Sequence, residues 1–490
     1  MQSRTLALLA VCIGATAVRA DAHSFGVLYT LPMPVEMYLY GASAALVASF
    51  LIIGLFASPI GLGATRGTRA VADRVASVAI PPAARTAARG VSVALLLLAV
   101  LTGLVGTPET YKNINMTLFW VIFFLGLTYL TPLVGNFYAW LNPWVTIVEA
   151  LERLVPEAFL GKRSWAAALS YYPAFALYVG FIWLELFGHT TPRSLSIILA
   201  GYTLLNVVGA WLFGKASWFK YVEFFGYYSK LLSKLSAVSF DDSNGKLKLR
   251  FHRPFKDLMD DYPKDLSQLL FILFMLSSTA FDGLRDTVVW VALYWKYFYR
   301  AVLTWFHLDM ISTYPAFQHA YATYQTLLLP LTAAIYLAIY LCFVRLSNLA
   351  ARSQRTTLVT AFYYGYTLIP IAFVYSLSHY FTLFIDQGAQ LFRLASDPFG
   401  FGWNLFGTAR TLIEPYIDIG IIWNIQVSII LVGHIISVYA AHMLALRLGG
   451  RKAAMIGQLP ILVLMVLLTA MGLLILSLPI QAGVTIPSVN

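Results

Sequence analysis

The chain has 490 residues, of which 59% are hydrophobic and only 11% charged, and its mean hydropathy is +0.74. A soluble domain carries about a quarter charged residues, so this composition excludes an ordinary soluble protein and points to a polytopic membrane protein. The net charge of +11 does not indicate a nucleic-acid partner, because the basic residues are spread among loops rather than gathered on one solvated face. Cys12 and Cys342 both lie within apolar runs, which leaves no disulfide framework and no cysteine metal site.

Residues 1–22 read as a secretory signal: Arg4, an apolar run from Leu6 to Val18, then Ala20-Asp21-Ala22 as a small-residue cleavage site. Cleavage after Ala22 would leave His23 first, where its amine and ring could chelate a metal; cleavage after Ala20 would leave Asp21. Residues 23–490 then read as a single all-α transmembrane domain. Ten apolar runs are long enough, or nearly so, to cross a bilayer: 37–56, 91–106, 117–135, 165–187, 194–214, 267–285, 321–346, 358–385, 418–446 and 456–478.

A cleaved signal places both mature ends in the periplasm of a bacterial inner membrane. The positive-inside rule tests this independently. Loops assigned to the cytoplasm hold 24 of the 33 Lys and Arg residues, against seven in the loops assigned outside.

Two connections are longer than turns. The first, 215–265, opens with WFKYVEFFGYYSKLLSKL, an amphipathic aromatic stretch expected to lie in the headgroup plane. It continues as SFDDSNGKLKLRF, whose alternation around Asn244-Gly245 predicts a small hairpin. The second, 286–320, reads as an amphipathic helix on the outer surface, with Lys296 and Arg300 on one face among tryptophans and tyrosines.

Ionisable residues inside apolar spans are costly and so mark candidate sites. Glu185 and His189 end the fourth span, and Asp282, Arg285 and Asp286 end the sixth. Tyr375, His379, Thr382 and Asp386 recur at four, three and four residues and form one polar stripe on the eighth. Asp418 opens the ninth span, His434 lies near its middle, and His442 is expected at the far interface. Each has a plain alternative: Glu185 snorkelling to water, Asp282 paired with Arg285, and His379 or His434 as neutral core histidines. As a set, His379, His434, Asp282 and Asp386 are the candidate catalytic groups. His379, His434 and Asp282 would offer nitrogen and oxygen ligands to a divalent transition metal, which would activate water. A histidine pair on two helices could instead hold haem.

Several strings, TAFDGLRDT from Thr279, SLSHYFTLF from Ser376, SDPFGFGWNLFGT from Ser396 and IWNIQVSIILVGH ending at His434, resemble the fenitrothion hydrolase family of bacterial polytopic membrane proteins. The likeness extends from AHSFG and LPMPVEMYLYGA near the N-terminus through most of the spans. It implies hydrolysis of a lipophilic organophosphorus triester, with water displacing a nitrophenol. The residues alone leave open a transporter or metal-handling permease, or a redox or assembly subunit with a partner membrane protein.

Overall fold

The computed structural model describes residues 34–56, 77–243, 246–411 and 418–478. The expected signal peptide, His23 and the Asn244-Gly245 turn lie outside the described residues. Among the described residues ten helical spans are long and apolar enough to cross a membrane, and they form an all-α polytopic bundle.

In chain order the first elements are α1 (Val35–Phe56), a short strand β1 (Ser77–Ala79), α2 (Pro82–Val105) and α3 (Ile114–Val134). After these come α4 (Pro143–Leu154), α5 (Tyr172–Phe187), α6 (Pro192–Phe213), α7 (Lys215–Tyr221) and α8 (Phe224–Leu232). Strands β2 (Val238–Ser243) and β3 (Lys246–Phe251) precede α9 (Leu266–Arg285), α10 (288–306), α11 (Met310–Ala350) and α12 (Thr357–His379). The chain ends with α13 (Phe381–Ala389), α14 (Leu391–Ser396), α15 (Gly420–Leu448) and α16 (Arg451–Ser477).

Helix starts follow capping chemistry. Asp265, Asp309, Thr356 and Asp418 each accept a hydrogen bond from a backbone N–H three residues on. Thr191 and Ser194 close a capping box on α6, with Pro192 in its first turn. These caps satisfy N–H groups that the bilayer could not.

The bundle has an inner and an outer ring. Helix α9 is 72% buried and α12 is 67%, whereas α2 is 17%, so α9 and α12 form the centre and α2 faces lipid. Without water to exclude between helices, packing and polar contacts hold such a bundle together. Gly209 shows the demand for close approach: any added methyl would collide with the Trp218 indole.

The loops sort onto two faces. On one face, the three-stranded antiparallel sheet β1-β3-β2 ties the first connection between spans to the fifth, and Arg85 pairs with Asp242 at 2.5 Å. There too Arg447 bonds Asp260 at 3.1 Å and Arg355 bonds the Leu448 carbonyl at 3.2 Å. We call this the basic face. On the opposite face the Thr107 and Ile114 N–H groups donate to the Phe399 and Pro398 carbonyls.

Several expectations need correction. The stretch 215–232 does not lie flat in a headgroup plane: α8 enters the bundle, with Phe224, Phe225, Tyr227, Tyr228, Leu231 and Leu232 all buried. Its rings pack on Phe119, Phe123, Tyr178, Phe181 and Phe271 from three spans, and a polar surface could not replace those contacts. The hairpin is present but gains a third strand from residues 77–79, whose pairing partner is 170 residues away and has no local signal.

The outer segment does form a helix of its own, α10, but its last part, from Met310 on, already belongs to the next long helix. Helix α11 is 41 residues long, about 62 Å at 1.5 Å per residue and roughly twice a bilayer core. Its N-terminal part pairs with α10 through Tyr294 Oη to the Phe317 carbonyl (3.0 Å) and Tyr299 Oη to the Met310 carbonyl (2.8 Å).

The eighth span stops at His379. Tyr380 leaves the helical region of backbone space (φ −94°, ψ 10°), and α13 starts anew. The ninth and tenth spans belong to one helical run, Ile419–Ser477, that folds back on itself near residues 449–450. His442 Nδ1 and Gln458 Oε1, sixteen residues apart, meet at 2.6 Å; a straight helix would hold them about 24 Å apart.

Candidate functional site

The polar centre lies where α5, α9 and α12 approach the face opposite the basic one. Asp282 stands one turn before the end of α9 and is 3% exposed. Its Oδ2 accepts from His379 Nε2 at 2.7 Å and from the Tyr380 hydroxyl at 3.1 Å. Its Oδ1 accepts from Arg285 Nε at 3.2 Å. Arg285 also faces Asp286 at 3.5 Å and lies over the Phe187 ring. Glu185 brings a second carboxylate beside Tyr380 and Asp282, and its Oε2 is buried.

Local folding explains this convergence. Asp282 and Arg285 are three apart on α9 and so share a face. The break at Tyr380 turns its ring toward α9 from the position next to His379, a pair of neighbours that a continuous helix would point about 100° apart. Gly283 lets other helices approach closely: a Cβ there would lie 2.7 Å from Ile475 and 3.7 Å from the His379 ring.

Because an ionised carboxylate only accepts, the His379 Nε2–Asp282 bond places a proton on Nε2, and in the neutral ring Nδ1 then keeps its lone pair. The His379 side chain is 26% exposed while Asp282 is sealed. An imidazole oriented on one side by a buried carboxylate and open on the other is the arrangement of a general base.

A cavity adjoins this group, lined by Ser278, Thr279, Asp282, Ser376 and Tyr380 above and by Phe124, Tyr178 and Tyr228 below. It has room for about one water molecule.

The other candidates are placed elsewhere. His434 is fully buried, its Nδ1 bonded to the Ile430 carbonyl at 2.9 Å and its ring edge-on to Tyr375. Asp386 stands on α13, beyond the break at Tyr380, so the expected four-residue stripe is not one helix face. Among the described residues no three His, Cys, Asp or Glu side chains converge to hold a metal ion, and the set His379, His434 and Asp282 is not assembled. The physical reason is that His434 turns to its own helix carbonyl, while His379 turns to α9. His189 leaves the face of Glu185, since α5 ends at Phe187 and His189 adopts φ +40° in an exposed position. His442 is fully buried rather than interfacial.

Sequence reading missed Tyr380 as a site residue; its position beside His379 was the available signal. It also missed Glu223, which lies in a connection yet is 1% exposed. Glu223 accepts from the hydroxyls of Tyr138 (3.3 Å) and Tyr202 (3.1 Å), from Asn142 Nδ2 (3.1 Å) and from the Gly226 N–H (2.8 Å).

Fold and site together define an all-α polytopic membrane protein with a buried Asp–His–Tyr cluster. No protein family model, curated protein or solved structure matches the chain.

Proposed function

We propose that this chain is a membrane-integral hydrolase of a neutral, lipophilic organophosphorus triester, with His379 as general base and Asp282 as the group that orients it. The observation that carries the reading is the 2.7 Å bond from His379 Nε2 to Asp282, made by a ring that is partly exposed and whose neutral form keeps a basic Nδ1. In this reading Nδ1 takes a proton from water as the water oxygen attacks phosphorus, and the aryloxide leaves on the opposite side. Arg285 and Tyr380 hold Asp282 in place and keep its charge compensated. The cavity admits water but not a triester, so the substrate approaches the exposed edge of His379 beside Gly283 and Ile475. A lipophilic triester dissolved in the bilayer reaches such an edge directly.

The same reading places the protein in a bacterial inner membrane with the basic face in the cytoplasm, supported by the excess of Lys and Arg in the loops of that face. It needs no metal ligand set, and the donors that would form one are separated.

The test is nitrophenol release from proteoliposomes loaded with a nitrophenyl phosphorothioate. His379→Ala and Asp282→Asn should each lower turnover by about 100-fold or more, the usual worth of a positioned base, while His434→Gln retains activity in whatever fraction folds. Full activity in His379→Ala overturns the assignment. A second reading, a proton-coupled permease, is favoured by the placement of Glu185, Asp282 and His379 together within the bundle. It predicts accumulation of intact substrate in the vesicles with no nitrophenol formed.

A further inference from the structure

The cavity beside Asp282 is one end of a longer feature. At its upper edge the Tyr380 hydroxyl donates to Asp282 Oδ2. Tyr228 and Ser376 line the same cavity, within side-chain hydrogen-bonding reach of each other, and the cavity has room for about one water. Tyr228 Oη and Thr128 Oγ1 are hydrogen-bonded at 3.0 Å. One turn further along α3, Thr131 Oγ1 meets Ser229 Oγ at 3.4 Å, and Ser229 Oγ donates to Asn136 Oδ1 at 3.0 Å. Asn136 is partly exposed, just past the end of α3, next to the sheet of the basic face. Between Tyr380 and Asn136 every one of these hydroxyls is buried.

We propose that this string of hydroxyl groups conducts protons between the Asp282–His379 cluster and the basic face. Each hydroxyl in it both donates and accepts, so a proton received at one side is matched by a proton released at the other, and no group changes its charge in a completed passage. The step from Thr128 to Thr131 spans one helical turn, roughly 5–6 Å between Cβ atoms, so passage along the string requires a water to enter there. The charged groups facing the entrance are Glu185, Asp282, Arg285, Asp286 and His379. Supplied from α8, Tyr228 and Ser229 exist in the path only because that helix enters the bundle.

The inference deepens the hydrolase reading, on which it rests only for the origin of the proton: hydrolysis of a triester by water releases one proton, first held at His379. A purely static role is the rival account, because Thr128 and Thr131 also bond the Phe124 and Leu127 carbonyls of their own helix. The two accounts differ in proton flux.

Protein in vesicles enclosing a pH-sensitive dye, given an outside pH step, should equalise pH at least threefold faster than protein-free vesicles. Tyr228→Phe and Thr131→Val keep the ring and the branched shape, and each should remove at least two thirds of that excess rate at unchanged Tm. If Tyr228→Phe does not fold, Thr131→Val carries the comparison. Wild-type vesicles no faster than empty ones, or folded variants with the full rate, overturn the proposal. Flux that depends on Tyr228 without any nitrophenol release would leave the path standing and remove the hydrolase reading; nitrophenol release without flux would do the reverse.

Discussion

Asp282 is bound by three donors from three different residues, and each explains why the others stay. An unpaired carboxylate at 3% exposure would cost several kcal/mol, so Arg285 compensates its charge while His379 and Tyr380 fill its second oxygen. Removing that carboxylate should therefore affect His379 before it affects the fold: Asp282→Asn keeps the shape but cannot hold the Nε2–H with a charge. Glu223 is the opposite case, a carboxylate whose partners are all neutral. Glu223→Ala would strand two tyrosine hydroxyls, an amide and a backbone N–H inside the bundle, at a cost of about 3–5 kcal/mol. Glu223→Gln, which keeps an acceptor, should lose less than half as much; unfolding curves in detergent compare the two, and equal losses would mean that packing rather than hydrogen bonding sets the cost.

Among the elements, α8 contributes most that its sequence did not announce. Its amphipathic pattern is that of a surface helix, but aromatic rings on α3, α5 and α9 offer it more contact area than a headgroup layer does. The segment after α8 is fastened on the basic face by Lys234, which bonds Asp261 at 2.9 Å and lies over the Tyr366 ring. Burial pushes the Asp261 carboxyl up, but the Lys234 and Lys264 ammonium groups outweigh it and hold it below the usual value. A depressed carboxyl contributes stability above the unfolded pKa of about 3.9 and loses it as pH falls through the lower folded value. Asp261→Asn should thus lower Tm near neutral pH by an amount worth about 1 kcal/mol or less, since Asp261 is 40% exposed. The gap to wild type should close below about pH 4; a gap of constant size from pH 7 to pH 3 would assign the effect to something other than this ion pair.

At the scale of the whole molecule, the two faces are joined by ten spans but have different characters. The basic face carries the sheet and its arginine contacts, whereas the opposite face carries an aromatic loop, with Phe399 stacked on Phe401 and Trp403 edge-on to Phe401, and the α10–α11 arm. Lys246→Cys and Phe406→Cys, both at exposed positions, place one thiol on each face; Cys342→Ala removes the exposed native thiol. In intact cells a membrane-impermeant maleimide should label Phe406→Cys and leave Lys246→Cys unlabelled until the membrane is broken. The reverse pattern would invert the proposed orientation.

The sequence by itself determined that this is a ten-span helical membrane protein and which loops share a face. Length of apolar runs, capping residues and loop charge are local quantities set by the bilayer, and all are legible in one dimension. Asp282 and His379 were legible as well, because a charged or titratable residue in an apolar run stands out wherever the run packs. Tertiary structure alone decided that these two meet, that His434 turns to a carbonyl of its own helix, that Asp386 falls on a separate helix, and that α8 belongs to the interior. Those outcomes depend on which helices are neighbours and on single backbone breaks such as that at Tyr380. Neighbour choice among helices arises from packing between residues about a hundred positions apart, and no periodicity within one helix encodes it.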